Sequence, residues 1–115
     1  MTERSEYATA HDADVNVLLA AFERGQSFTK EQAKNELGIP DRRFRAAVAK
    51  LREQGEPIVS WSEEGSVYRM ARDAEEAHRF IDSELIPRIR HLERQARHIR
   101  IGIPVKFKVN HQQLI

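Results

Sequence analysis

The stretch from Ser27 to Glu53, SFTKEQAKNELGIPDRRFRAAVAKLRE, leaves the fold little freedom. It reads as two short helices joined by a tight turn. Thr29 stands three residues before Gln32, the spacing of a capping box. The threonine oxygen accepts from the Gln32 backbone N–H, and the glutamine side chain reaches back to the cap. Phe28 precedes the cap and Ala33 falls at the fourth helical position, so a weak apolar staple is available. Ala33 and Leu37 share a face. Gly38 supplies the left-handed residue that closes the helix, and Ile39 is expected to turn inward.

The second helix opens at Pro40-Asp41. Proline suits a helix edge because it lacks only an N–H that would be orphaned there. Asp41 can cap, or complement the positive end of the dipole. Phe44, Ala47, Val48 and Leu51 fall on one stripe at helical spacing, and Gly55 ends the element. The opposite face carries Arg42, Ala46, Ala49 and Glu53, flanked by Arg43, Arg45 and Lys50. By itself an arginine-rich outer face is most often a solvated one. Here the order of cap, glycine turn, proline start and apolar stripe points to a helix-turn-helix. A helix must come close to base edges in the major groove, and alanines beside arginines permit that approach. Guanidinium forks match guanine O6 and N7 and also grip phosphates.

Past Gly55 the period changes. Glu56-Pro57 breaks the helix. Ile58-Val59-Ser60-Trp61 and Val67-Tyr68-Arg69-Met70 are β-branched and aromatic, and Ser62 to Ser66 is a turn-forming cluster. This is a hairpin signal. With it the chain resembles the winged helix-turn-helix superfamily, and is most similar to short bacterial and phage members and to the N-terminal domain of biotin-operon repressors. The residues that carry the resemblance are Phe28-Thr29-Lys30, Leu37-Gly38-Ile39 and Asp41-Arg42-Arg43-Phe44-Arg45. Val48, Leu51-Arg52, Gly55 and Pro57-Ile58-Val59 lead into the hairpin, and Tyr68-Arg69 lies on its return. The resemblance covers residues 14–72. It implies that helix 41–54 lies in the major groove. Arg42, Arg45, Ala46 and Ala49 would then face base edges, while Thr29, Lys30, Arg43, Lys50 and Arg69 would hold phosphates. The chain departs from the pattern at the wing tip, Glu63-Glu64-Gly65, whose acids repel phosphate. It departs again at Val67-Tyr68, where relatives often carry Gly-Tyr. Such a wing stays off the DNA or serves a protein partner. Trp61 and Tyr68 are expected in the core rather than as stacking platforms.

On either side the patterning is simpler. Residues 1–13 are polar and unpatterned, and a frayed arm is expected. Asp14 can cap a helix to about Arg24, with Val15, Leu18, Leu19 and Phe22 on its inner face. Asp73 and Glu76 open another helix as an aspartate version of the capping box. Ala77, Phe80 and Ile81 mark its inner side, and Pro87 should kink or split it. Ile89, Leu92, Ala96 and Ile99, with Leu85 before them, make an a/d seam of about two heptads. The seam can fold back on the domain or pair with a second copy. Pairing is preferred, because residues 14–72 already complete a core. Arg88, Arg90, Arg94, Arg97 and Arg100 form either a solvated surface or a second phosphate patch. Gly102 and Pro104 are expected to end the helix. Val105 to Val109 alternates apolar and basic, as an edge strand does, and could add to the hairpin sheet, cross to a second subunit, or lie disordered until a partner offers an edge.

Charge is segregated rather than large. The formal net charge is +1, yet residues 63–84 hold seven acids against three bases, and residues 85–115 seven bases against one acid. There is no cysteine, which excludes disulfides, thiolate nucleophiles and cysteine-ligated zinc. No apolar run approaches a membrane span, and the first residues lack a secretory pattern. A cytoplasmic protein is expected. His91 and His98 stand seven apart, with no carboxylate at ligand spacing; no phosphate loop or nucleophile elbow is present. Hence no enzyme, metal or cofactor is expected.

The sequence therefore predicts a mainly α fold with a small β-hairpin. In it a winged helix-turn-helix over residues 14–72 is followed by a long helix over 73–100, kinked near Pro87, and a strand-like tail over 101–115. The expected function is sequence-specific binding of double-stranded DNA by a homodimeric transcription regulator of bacterial or phage origin. The alternative is a protein-interaction module in a phage or bacterial replication or transcription complex.

Overall fold

The structure, a computed structural model, describes residues 9–107. It divides into two compact units, the first ending at Phe80 and the second beginning at Ile81.

In the first unit, helices α1 (Asp12–Glu23), α2 (Lys30–Leu37) and α3 (Asp41–Glu53) precede strands β1 (Ile58–Trp61) and β2 (Val67–Met70) and helix α4 (Ala74–Phe80). The α2 cap forms as its spacing predicts. Thr29 Oγ1 accepts from Gln32 N at 3.1 Å, and Thr29 N donates to Gln32 Oε1 at 2.8 Å. Gly38 follows with φ 70°, a left-handed conformation open to glycine without Cβ strain. Its N–H donates to Lys34 O at 3.1 Å. Phe44, Ala47, Val48 and Leu51 of α3 are all buried, and Ile39 turns inward to 2% exposure. At Gly55, φ 92°, the chain reverses in a Schellman-type close: Gly55 N donates to Arg52 O and Glu56 N to Leu51 O, each at 3.0 Å.

The core gathers the inner faces of all three helices and the hairpin. Leu18 and Phe22 of α1, Phe28, Ala33, the α3 stripe and Ile58 are all buried in it. Edge-to-face ring pairs lock its corners, Phe22 on Phe28 at 5.9 Å and Phe44 on Tyr68 at 5.0 Å between centroids. The strands pair antiparallel, Ile58 opposite Met70 and Trp61 opposite Val67. Phe28 adds a connection that the sequence did not announce. Its N–H donates to Tyr68 O at 2.9 Å, and its carbonyl accepts from Tyr68 N at 2.7 Å. The segment between α1 and α2 is thereby fastened to the hairpin.

One expectation fails at the start of α1. The helix begins at Asp12 with His11 at the cap position, and Asp14 lies inside the first turn, buried. Asp14 is taken up by an ion pair with α3. The expected arm over residues 1–13 falls largely on residues 1–8, outside the described residues.

In the second unit a π-helical turn, Ile81–Leu85, runs into α5 (Ile86–Phe107). The expected interruption at Pro87 takes this form. A proline cannot donate to the carbonyl one turn back and crowds it. The wider π turn lies over those preceding residues, and the helix resumes beyond it. The expected stop at Gly102 and Pro104 does not occur. Gly102 has no left-handed φ and therefore closes nothing. Pro104 deletes one hydrogen bond near the helix end, and α5 continues to Phe107. Val105, Lys106 and Phe107 are thus helical rather than strand; Lys108 and Val109 of the predicted strand lie outside the described residues.

Candidate nucleic-acid interface

The outward side of α3 is built by the same period that buries its inner stripe. With Phe44, Ala47, Val48 and Leu51 pinned in the core, Arg42, Arg45, Ala49, Lys50 and Glu53 are exposed, and Ala46 is half-buried. Arg42, Arg45, Ala46 and Ala49 fall at i, i+3, i+4 and i+7, so they share one face. That face is cationic at its N-terminal end and low in relief toward its middle. Arg42 and Lys50 have no ion-pair partner among the described residues. Arg45 meets Asp41 one turn earlier, Nε to Oδ1 at 3.2 Å, with both side chains about half exposed or more. A surface pair of this kind is worth about 0–1 kcal/mol and opens readily.

Two arginines expected on phosphates are otherwise engaged. Arg43 donates from Nε and Nη2 to Asp14 at 2.8 and 2.7 Å, a fork clamping α3 to α1. The hydrogen bonds from Arg43 hold the Asp14 carboxyl below its ordinary range, against the opposing effect of burial. Arg69 lies with 13% of its side chain exposed, between Glu64 and Glu76. It donates to Glu76 Oε1 at 2.8 Å and to both Glu64 oxygens at 3.1 and 3.2 Å. Its charge is met twice over within the chain.

Glu76 is the centre of that cluster. It is 4% exposed, and it also accepts from Trp61 Nε1 at 3.0 Å and from the Arg72 N–H at 2.8 Å. The hydrogen bonds from Arg69 dominate in lowering its pKa from 4.5 to about 2. Asp73 caps α4 by accepting from Glu76 N at 2.8 Å. The returning half of the expected capping box goes to Arg72 instead of Asp73. The indole of Trp61 is 7% exposed and packs edge-to-face on Phe80 at 5.6 Å, so it is a core ring.

The hairpin tip is a short 3₁₀ turn, Ser62–Glu64, closed by Gly65 at φ 80° and Ser66 at φ 60°. Arg69 is the one base between Ile58 and Met70, so the tip presents Glu63 and no free cation. Lys30 at the start of α2 and Lys34 in its last turn are exposed, and the Thr29 oxygen serves the cap.

The Arg69–Glu76 cluster was not legible in advance. The Asp73–Glu76 spacing signalled a cap, but nothing local showed that the glutamate would turn toward a hairpin strand. Along α5 the a/d positions Ile89, Leu92, Ala96 and Ile99 are all exposed, while Leu85 is half-buried in the π turn. Among the described residues no group of three or more His, Asp or Glu side chains is placed to hold a metal ion. Nor is any helix among them long and apolar enough to cross a membrane.

Comparison with protein-family models, with curated proteins and with solved structures found no match to this chain.

Proposed function

We propose that the first unit is a winged helix-turn-helix module, with α3 as the helix that enters the major groove of double-stranded DNA. In this reading the whole chain acts as a dimeric transcription regulator of bacterial or phage origin. The observation that carries it is the outward flank of α3. Among the described residues Arg42 and Lys50 have no ion-pair partner and are exposed, Arg45 is held only by a surface pair, and Ala49 keeps the middle of the face low. Arg42 and Arg45 read base edges over the two alanines; Lys50, Lys30 and the start of α2 grip phosphates and set register. Arg43 and Arg69 serve the fold in this scheme, and the hairpin stays off the DNA.

Titration of a duplex selected from a random pool, at several salt concentrations, tests this. Arg42→Ala and Arg45→Ala should each weaken binding to the selected site by about 1–3 kcal/mol and relax its specificity. Lys50→Ala should weaken all duplexes alike and reduce the salt slope by about one. Binding that both arginine variants leave unchanged removes α3 as the reading element.

A second reading rests on the acidic hairpin tip, where Glu63 is exposed and the sole strand cation is neutralised. A tip of that sign suits a basic protein surface in a replication or transcription complex. Failure to retain any duplex at low salt, with a protein captured through the hairpin, favours it over DNA binding.

A further inference from the structure

Helix α5 has no buried residue over its 22 positions. Its apolar side chains lie open instead: Ile89 at 50%, Leu92 at 61%, Ile99 at 65% and Ile103 at 37% exposure. Because the helix passes through Gly102 and Pro104, the seam is longer than the sequence suggested. Counted from Ile89, the a positions are Ile89, Ala96 and Ile103, and the d positions are Leu92, Ile99 and, in the last turn of the helix, Lys106. Leu85 belongs to the π turn, whose pitch takes it off this register.

We infer that α5 pairs with α5 of a second copy as a parallel, in-register, two-stranded coiled coil. Three observations select that occupant and that direction. A β-branched residue at a, with leucine at d, is the pattern that favours two parallel strands. Ile89, Ile103 and Leu92 follow it, and Ala96, Ile99 and Lys106 depart from it. Next, Glu93 is the one acid on α5 and falls at e, while Arg88, five residues earlier, falls at g. A parallel dimer places g of one helix beside the following e of the other, so two crossed Arg88–Glu93 pairs form across the interface. Finally, Glu93 has no ion pair within its own chain among the described residues, although Arg97 stands one turn away. Of the remaining arginines, Arg90, Arg94 and Arg97 fall at b and f on the outer side, while Arg100 falls at e, on the flank of the seam, where the g position of the second copy is the uncharged Gln95.

This deepens the dimeric part of the proposed function but needs no DNA to be tested, so a failure here leaves the α3 reading untouched. Sedimentation of the full chain from about 1 to about 300 μM should show a monomer–dimer equilibrium. Leu92→Glu should abolish it while leaving the emission of Trp61, the single tryptophan, unchanged. Arg88→Glu should weaken the dimer about tenfold by setting acid against acid, and the double variant R88E/E93R should restore it to within about threefold. An antiparallel pair can instead bring Glu93 toward Arg100 and leave Arg88 idle, so R88E would then have no effect.

The chain has no cysteine, so introduced thiols report direction without background. Ile89→Cys and Ile103→Cys should each form a self-disulfide on mild oxidation. Disulfides that appear only when the two variants are mixed overturn the parallel arrangement. A chain that stays monomeric throughout the concentration range, or whose α5 binds anionic phospholipid vesicles as a monomer, overturns the inference altogether.

Discussion

Arg69 shows how a residue of the right type at the right position can be committed elsewhere. Its neighbours on the hairpin supply Glu64, α4 supplies Glu76, and what remains is a buried, hydrogen-bonded cluster that ties β2 to α4. The cluster makes stability depend on acidity in a defined window. The folded Glu76 pKa, about 2, lies below its ordinary 4.5, so the folded form binds this proton less readily than the unfolded one. Its contribution is therefore complete above about pH 4.5 and lost as pH falls from there through about 2. Asp14 shifts in the same direction and adds to the slope. Denaturant unfolding followed by Trp61 emission should show the midpoint falling across that window. Glu76→Gln should cost about 1–3 kcal/mol at neutral pH and flatten the acid slope. An equally steep acid slope in Glu76→Gln would take the charge out of the explanation.

At the scale of elements, what could be read ahead was what is encoded locally. The α2 capping box, the glycine turn and the α3 stripe each depend on residues within about seven positions, and each formed as spacing predicts. Gly38 illustrates the margin involved. Nothing lies within 4 Å of a Cβ built there, so the requirement is one of backbone conformation alone. Gly38→Ala should cost about 1–2 kcal/mol, or roughly 4–8 °C in Tm per kcal/mol for a unit this size. An unchanged Tm would mean that the turn tolerates a side chain. What misled was competition between signals. Val105 to Phe107 has strand-like composition, yet α5 carries them as helix. Asp14 had cap chemistry but an arginine 29 residues away claimed it. Pairings across that distance leave no trace in a short window, which is also why Arg43 and Arg69 read as free cations.

For the whole molecule, the two units differ in how they satisfy their apolar residues. The first buries its own: fourteen of its hydrophobic side chains ahead of α4, from Val15 to Trp61, are nearly inaccessible, and Phe80 closes the set. The second leaves its seam open, and the proposed pairing of α5 rests on that contrast. Net charge also differs in sign between them: residues 1–80 hold fifteen acids against twelve bases, and residues 81–115 seven bases against three acids. A regulator of this plan would separate its tasks along the chain, reading with one segment and assembling with another.

The paired backbone bonds between Phe28 and Tyr68 carry one last consequence. They join positions forty residues apart in the chain, and they sit where helix connection and hairpin meet. Neither amide can reach water by fraying of a single element, because both segments must part first. In deuterated solvent these two protons should therefore be among the last to wash out, at the pace of global opening. Rapid loss at either would reveal a hairpin that breathes independently of the helices beneath it.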